Sequence, residues 1–172
     1  MVAEVAKTFG QAGCRNSWRV PLRKSSQPNN VRNTDQESSF QAMAKRKIDV
    51  RMRTYGIYSQ WESASKLLPR FLRTTTEIPA RVDVEFGFVV NIKYAKNCEL
   101  TFCIDHPGIR DDQGNQRAPF EGTVYVKTND WNFYLGDTVW EPIDDKLGPW
   151  HLWLAIGGNV IAEKTFQLVC PP

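Results

Sequence analysis

The sequence predicts an all-β domain, an antiparallel immunoglobulin-like β-sandwich of about seven strands, preceded by a disordered N-terminal tail. Three observations support this fold class. Apolar residues alternate with polar ones in several short segments, which is typical of strands with one buried face. Turn residues separate those segments, and no segment has the apolar spacing of a long helix. A closed β-barrel is the alternative architecture for the same pattern.

The chain has 172 residues, which is enough for one domain with some residues to spare. Hydrophobic residues make up 41% of it and are sufficient to form a core. Residues 1–45 are predicted to be a basic tail and residues 46–170 the sandwich. The segment from Gly10 to Ser39 is rich in Ser, Asn, Gln, Gly, Pro and Arg and has no apolar period. Such a segment cannot bury enough apolar surface to offset its ordering entropy.

Three interpretations of the tail remain open: an organellar transit peptide, a basic arm for an acidic partner, or upstream sequence before a biological start at Met43. The acidic residues Glu4, Asp35 and Glu37 argue against a transit peptide. The basic residues are scattered rather than clustered, which argues against a binding arm. The internal start is therefore favoured, because the first strand pattern follows Met43 directly.

Charge is distributed unevenly between tail and domain. Eight Lys or Arg and three acidic residues give residues 1–46 a net charge of +5, whereas residues 47–172 have a net charge of −2. A domain near neutrality lacks the clustered basic face that nucleic acid requires. No apolar run approaches the ~20 residues of a membrane-spanning helix. We therefore expect no contact with nucleic acid or membrane.

The first predicted strand runs from Ile48 to Tyr58 and begins with alternating apolar and charged residues. Gly56 within it indicates a bulge or a close backbone approach. A short helix is predicted next, with Ser63 as its N-cap and Pro69 limiting it to one or two turns.

Residues 74–79 are predicted to be extended, because the residue before proline avoids the α region. The clearest strand follows from Val82 to Ile92, with six apolar residues in strict alternation. Such a run does not fit one face of a helix. Shorter patterns of the same kind predict strands at 100–104, 123–126 and 131–140, separated by a turn at 95–97 and a polar loop at 105–118.

A hairpin is predicted at the end of the chain. Apolar residues alternate from Trp150 to Ile156, a turn is supplied by residues 157–159, and a last strand returns from Val160 to Val169. Trp153 breaks this alternation, because it is a large aromatic residue with outward parity.

The four cysteines show neither a Cys-x-x-Cys motif nor the spacing of zinc ligands, and the chain has two histidines. No metal site and no cofactor are therefore predicted. Cys98 and Cys170 have inward parity and are expected to be buried, whereas Cys103 has outward parity. No secretory signal is visible, so a cytoplasmic location with reduced thiols is expected.

Five short motifs occur along the predicted sandwich. They are Thr54-Tyr55-Gly56-Ile57-Tyr58, Ile78-Pro79-Ala80-Arg81, Glu85-Phe86-Gly87-Phe88, Ile104-Asp105-His106-Pro107, and Asn129-Asp130-Trp131 with Glu141-Pro142. Together they resemble a bacterial single-domain family of unknown function with an immunoglobulin-like sandwich. The similarity covers Met43 to Val169 and leaves the tail outside. Because that family has no assigned activity, the resemblance implies a fold and no chemistry.

Four aromatic residues of the predicted strands 131–140 and 150–156 are candidate binding residues. Exposed aromatic side chains on a sandwich can stack on sugars or anchor a protein partner, although core packing explains most tryptophans. The candidates are Trp131, Tyr134, Trp140 and Trp153.

The loop after residue 104 contains the densest group of reactive side chains. An Asp beside a His can orient an imidazole as a general base, so a hydrolytic or metal-assisted enzyme using Asp105 and His106 is the alternative function. No nucleophile motif accompanies them, and an ordinary turn explains the same residues. Asp105, His106 and Arg110 are therefore binding candidates, and no catalytic or metal-binding residue is predicted.

A second charged group, Arg81, Asp83 and Glu85, has the parity opposite to the apolar face of its strand. Two carboxylates at this spacing resemble a glycosidase pair. A solvated sheet face with an Arg–carboxylate pair is the favoured interpretation.

The leading hypothesis is a non-catalytic module that binds a protein partner, with a saccharide as the second choice of ligand. The contact surface is expected to include residues 131–140 and the loops around His106 and Asp137. The sequence leaves the oligomeric state open.

Overall fold

The computed structural model describes residues 4–6, 46–61, 67–111 and 113–171. Of the predicted tail, residues 1–45, only residues 4–6 are described, so Met43 lies outside the described residues. The predicted N-cap Ser63 lies outside them as well. Leu67 and Leu68, which would end the predicted short helix, lie in irregular chain. No helix in the described ranges is long and apolar enough to cross a membrane.

Ten strands and one short 3-10 helix are present in the described part of the chain. They are β1 Glu4–Ala6, β2 Asp49–Tyr58, β3 Phe71–Arg73, β4 Glu77–Pro79, β5 Glu85–Lys93, β6 Glu99–Asp105, β7 Phe120–Tyr125, β8 Asp130–Thr138, the 3-10 helix Asp144–Lys146, β9 Gly148–Ile156 and β10 Asn159–Val169. The seven strands of six or more residues correspond to the seven predicted ones. β1 lies within the segment predicted to be a tail.

The strands form two five-stranded sheets, and the predicted sandwich is confirmed. The first sheet has the order β1-β8-β5-β2-β3, and the second has the order β4-β10-β9-β6-β7. Neighbouring strands are antiparallel except for two pairs, β1 with β8 and β4 with β10, which are parallel. Three-residue strands therefore lie at three sheet edges, and the six-residue strand β7 lies at the fourth.

The core lies between the sheets and contains the apolar residues whose inward parity the sequence shows. Phe86, Phe88, Val90 and Ile92 of β5 are fully buried. Each such side chain contributes roughly 1.5–3 kcal/mol to stability by leaving water. The predicted alternation from Val82 begins later than expected, because Val82 lies in a turn and is exposed.

The outer face of the first sheet is also buried around Glu85, which corrects the prediction of a solvated face there. Glu85 is fully buried and accepts hydrogen bonds from the hydroxyls of Tyr134 at 3.0 Å and Thr138 at 2.6 Å. Asp83 lies in a turn with a φ of 69°. Asp83 and Glu85 therefore do not form a carboxylate pair on one strand face.

Three glycines face each other across β2, β5 and β8, at positions 56, 87 and 136. A Cβ on Gly56 would lie 2.1 Å from the carbonyl oxygen of Arg73, so the predicted close backbone approach is confirmed. A Cβ on Gly136 would lie 2.1 Å from the hydroxyl oxygen of Tyr134. The absence of side chains on these glycines thus allows the Tyr134 ring to lie along its own strand toward Glu85.

The connection between β8 and β9 packs on one end of the core through Lys146. This side chain has no exposed surface, and its Nζ donates hydrogen bonds to the Pro142 carbonyl at 2.6 Å and to Asp145 at 2.8 Å. Nζ also lies 4.5 Å from the ring centre of Trp140. The indole N–H of Trp150 donates to the Lys146 carbonyl at 2.9 Å. These contacts fix the connection to the core.

Candidate functional site

The residues predicted as an aromatic binding surface do not lie together on the surface. Trp131 is fully buried between the sheets, and Tyr134 is fully buried against Tyr58, with 5.0 Å between ring centres. Trp140 is half-buried and packs against Trp150. Asp137 is buried too. The prediction of an exposed aromatic segment is wrong because β8 is buried on both faces, so the parity of its residues does not distinguish core from surface.

His106 is buried, and both of its ring nitrogens bond to the backbone. Its Nδ1 accepts the N–H of Ile109 at 3.2 Å, so its Nε2 carries the proton and donates to the Ala118 carbonyl at 3.1 Å. The ring also packs against Phe120. His106 therefore holds the loop in shape and has no nitrogen available for proton transfer in this arrangement.

Asp105 and Arg110 are both exposed. Asp105 is the last residue of β6 and lies on the outer face of the sheet, directly opposite His151 of β9. His106, in contrast, is buried. The Arg110 guanidinium donates a hydrogen bond to the Gly114 carbonyl at 2.7 Å, within its own loop. The three predicted loop residues therefore do not form one site.

Trp153 occupies the centre of the outer face of the second sheet, as its outward parity predicts. It is half-buried. We call this surface the Trp153 face and define it by twelve outward residues around Trp153 on four neighbouring strands. These are Glu99, Thr101, Cys103 and Asp105 of β6, Glu121, Thr123 and Tyr125 of β7, His151, Trp153 and Ala155 of β9, and Glu163 and Thr165 of β10.

The central row of the Trp153 face crosses four strands in register. Glu121 pairs with Cys103, Cys103 with Trp153, and Trp153 with Glu163. The Glu163 carboxylate accepts a hydrogen bond from His151 Nε2 at 3.1 Å, and both side chains are substantially exposed. The indole is therefore flanked along its row by a small buried thiol on one side and an exposed carboxylate on the other.

Charge on the Trp153 face is strongly one-sided. The residues that define it include four carboxylates, Glu99, Asp105, Glu121 and Glu163, and no lysine or arginine. Neighbouring strands lie about 4.8 Å apart, so the carboxylates of β7 and β10 are separated by roughly 15 Å across the sheet. The surface therefore combines a central indole with an acidic periphery.

Cys103 lies beneath this surface and is 3% exposed. Burial, followed by the nearby carboxylates of Glu121 and Asp105, raises its pKa to about 11. A nucleophilic cysteine needs the opposite shift, toward the thiolate at neutral pH. Cys98 is half-buried and Cys170 is exposed, so the expectation of burial is wrong for Cys170.

We expect Cys103 to react with iodoacetamide at pH 8 at least about a hundredfold more slowly than Cys170 in the folded domain. A pKa of about 11 leaves only about 0.1% of the thiol ionised at this pH. Peptide mass spectrometry after timed quenching measures both rates, and denaturant should make them similar. Comparable rates in the folded domain would contradict the burial of Cys103.

Among the described residues, no three side chains of the His, Cys, Asp and Glu types are grouped closely enough to hold a metal ion. The Trp153 face instead contains an indole ring, threonine and tyrosine hydroxyls and carboxylates. These groups bind a ligand through van der Waals contact and hydrogen bonds.

Comparison with known proteins gives one family match. The model of a family described as "Domain of unknown function (DUF3859)" matches residues 46–168. The chain belongs to this family. The resemblance to a family of unknown function, inferred from the short motifs, is therefore confirmed. No curated protein matches the DUF3859 chain.

A solved structure similar to this DUF3859 domain is an immunoglobulin-like protein from Pseudomonas aeruginosa, whose crystal structure was determined at 1.50 Å resolution. The TM-score is 0.58 at 24% sequence identity, and the match covers 73% of this chain and 99% of that chain. The immunoglobulin-like character of the predicted sandwich is thus confirmed, and the likeness extends to the fold alone.

Sequence reasoning missed most members of the Trp153 face in the DUF3859 domain. It singled out Trp153 and Asp105, but not His151, Glu121 or Glu163. His151 has the same outward parity as Trp153, and this was the available signal. The two glutamates approach Trp153 only through the pairing of strands that are distant in sequence.

Proposed function

We propose that this DUF3859 domain is a non-catalytic module that binds a protein partner through the Trp153 face. The observation that carries the proposal is the half-buried indole of Trp153 at the centre of a polar, solvent-facing sheet surface. Tryptophan is enriched among the residues that contribute most binding energy, and these lie near the centre of an interface inside a polar rim.

The width of the Trp153 face supports a protein rather than a saccharide as the ligand. The face extends over four strands, which corresponds to roughly 15 Å across the strands and about 20 Å along them. A sugar ring covers little more than one indole, whereas an interface of standard size needs about 800 Å² on each partner. The carboxylates around Trp153 would form the rim of such an interface.

We further propose that the domain is located in the cytoplasm of a bacterial cell. Of the cysteines that the structure describes, Cys98, Cys103 and Cys170 are free thiols, which suits a reducing compartment. Fractionation of cells that produce the protein tests this, and recovery in a secreted or periplasmic fraction would contradict it.

Trp153→Ala tests the proposed surface, with Leu72→Ala as a matched control that removes a half-exposed apolar side chain from the first sheet. A partner captured by the unchanged protein should be purified and its affinity measured directly by calorimetry. We expect Trp153→Ala to weaken binding at least thirtyfold, about 2 kcal/mol, and Leu72→Ala to leave it within about twofold.

Circular dichroism and thermal unfolding must show that both variants are folded. Binding that survives Trp153→Ala unchanged would contradict the proposed surface. Binding lost in Leu72→Ala but kept in Trp153→Ala would move the interface to the first sheet.

A further inference from the structure

One sheet edge differs from the other edges in the described part of the chain. The short strands β1, β3 and β4 each have three residues, whereas β7 has six and pairs with β6 without a break in register. Open edges expose unpaired backbone groups, and proteins protect them with short strands, lysine, proline or bulges. β7 contains no lysine or proline. It is therefore an edge suited to pairing with another strand.

The hydrogen-bond pattern indicates which residues of β7 face outward along the edge. The N–H of Val126, just beyond β7, donates to the Cys98 carbonyl at 3.0 Å. Since alternate residues of an antiparallel strand bond to the same neighbour, Val124 and Gly122 also bond toward β6. The N–H and C=O groups of Glu121, Thr123 and Tyr125 then point away from the sheet. The side chains of these three residues are exposed as well.

We propose that β7 pairs in antiparallel fashion with β7 of a second copy of the chain, about a two-fold axis at Thr123. Thr123 then lies opposite Thr123 of the second copy, and Glu121 lies opposite its Tyr125. Each outward residue exchanges two backbone hydrogen bonds with its opposite residue, which gives six bonds across the interface. The two second sheets become one continuous sheet of ten strands.

The side chains of β7 favour this register over the one centred on Glu121. Threonine opposite threonine is a favourable cross-strand pair, and the Tyr125 hydroxyl can donate to the Glu121 carboxylate at both symmetry-related positions. A two-fold axis at Glu121 would instead place two carboxylates directly opposite each other. Because the interface consists of one strand from each copy, it is small, and the dimer is expected to depend on concentration.

This pairing does not depend on the proposed function, since it uses backbone groups of the edge rather than the Trp153 indole. It would place two Trp153 faces on one side of the joined sheet. If Trp153→Ala abolishes partner binding but leaves dimerisation unchanged, both proposals are supported. Partner binding tests only the proposed function, and dimerisation tests only the pairing of β7.

Sedimentation velocity on the full chain, from about 10 μM to about 1 mM, tests the proposal. We expect a reversible monomer–dimer equilibrium that Thr123→Pro abolishes, because proline removes the outward N–H at the axis while remaining compatible with an edge strand. Thr123→Lys should weaken the dimer about tenfold by placing two like charges opposite each other. Thr165→Lys is the matched control, since it adds the same charge to the same face three strands away from β7.

A charge reversal tests the register even if Thr123→Pro does not fold. Tyr125→Glu places two carboxylate pairs across the interface and should weaken the dimer at least tenfold, whereas the double variant Glu121→Lys with Tyr125→Glu should restore it to within about threefold. A chain that stays monomeric at 1 mM would overturn the proposal. So would a dimer that neither Thr123→Pro nor Tyr125→Glu weakens.

Discussion

Gly87→Ala is expected to leave little of the domain folded at room temperature. A Cβ at this position would lie 2.2 Å from the carbonyl oxygen of Leu135 and 2.5 Å from the Cα of Gly136. Both atoms belong to the backbone of β8, so relief requires separating two central strands. We expect a loss of at least about 4 kcal/mol, which is comparable to the whole stability of many domains of this size.

Gly158→Ala is the matched control for this substitution. A Cβ on Gly158 meets no atom within 4 Å, although its φ of 78° is unfavourable for alanine. The control should therefore lose only about 1–2 kcal/mol. Urea denaturation followed by tryptophan fluorescence measures both variants. Similar losses for both variants would show that β5 and β8 are less closely packed at the glycine row than described.

Asp145→Asn is expected to destabilise the domain by about 3 kcal/mol at pH 7. The substitution removes the carboxylate at 2.8 Å from the fully buried Lys146 ammonium, and it leaves that charge with the Pro142 carbonyl and the Trp140 ring. Removing one partner of a buried ion pair destabilises a protein by far more than the intact pair stabilises it, because the remaining charge stays buried without its partner. Asp144→Asn changes the exposed neighbouring carboxylate and should stay within about 0.5 kcal/mol.

The Lys146–Asp145 ion pair also predicts that the stability of the domain depends on pH. Burial alone would raise the pKa of Asp145, but hydrogen bonds from Lys146 and from the Arg110 backbone N–H outweigh it, and the pKa is lowered. A lowered pKa means that the stabilisation is complete above the unfolded value of about 4 and is lost as pH falls through the folded value. The difference in urea midpoint between the unchanged protein and Asp145→Asn should therefore shrink from pH 7 to pH 3. An equal difference at both values would contradict this role.

The strands of the core are the part of the fold that the sequence predicts best. Phe86, Phe88, Val90 and Ile92 alternate over a length that no helix face accommodates, and all four are buried. The Gly157-Gly158 pair likewise predicts the turn of the final hairpin, because tight hairpin turns need positive φ values and both glycines have them. These are local signals, contained in neighbouring residues.

Burial on the outer face of the first sheet could not be predicted in the same way. Glu85 and Tyr134 have outward parity, which ordinarily means exposure, yet both are fully buried. Leu68, from the chain that follows β2, packs against the cluster of Tyr58, Val89 and Tyr134. Parity identifies the side of a sheet on which a residue lies, but not whether another segment covers that side.

The candidate site shows the same limit. Trp153 was identifiable because one large aromatic residue interrupted the pattern of a single strand. Its neighbours Cys103, Glu121 and Glu163 lie on three other strands, and their approach depends on cross-strand register. Register is set by long-range pairing that a single sequence does not display. The prediction for Trp131 is wrong for a related reason, because aromatic residues occur in both cores and interfaces and Trp131 is in the core.

Amide chemical-shift mapping shows whether the Trp153 face is the contact surface for a protein partner. Isotope-labelled domain is titrated with the purified partner, and backbone and indole N–H signals are followed. We expect the largest shifts at Cys103, Glu121, Trp153 and Glu163, including the indole N–H of Trp153. Shifts concentrated on β2, β3 and β5 of the first sheet, with the Trp153 indole signal unchanged, would contradict it.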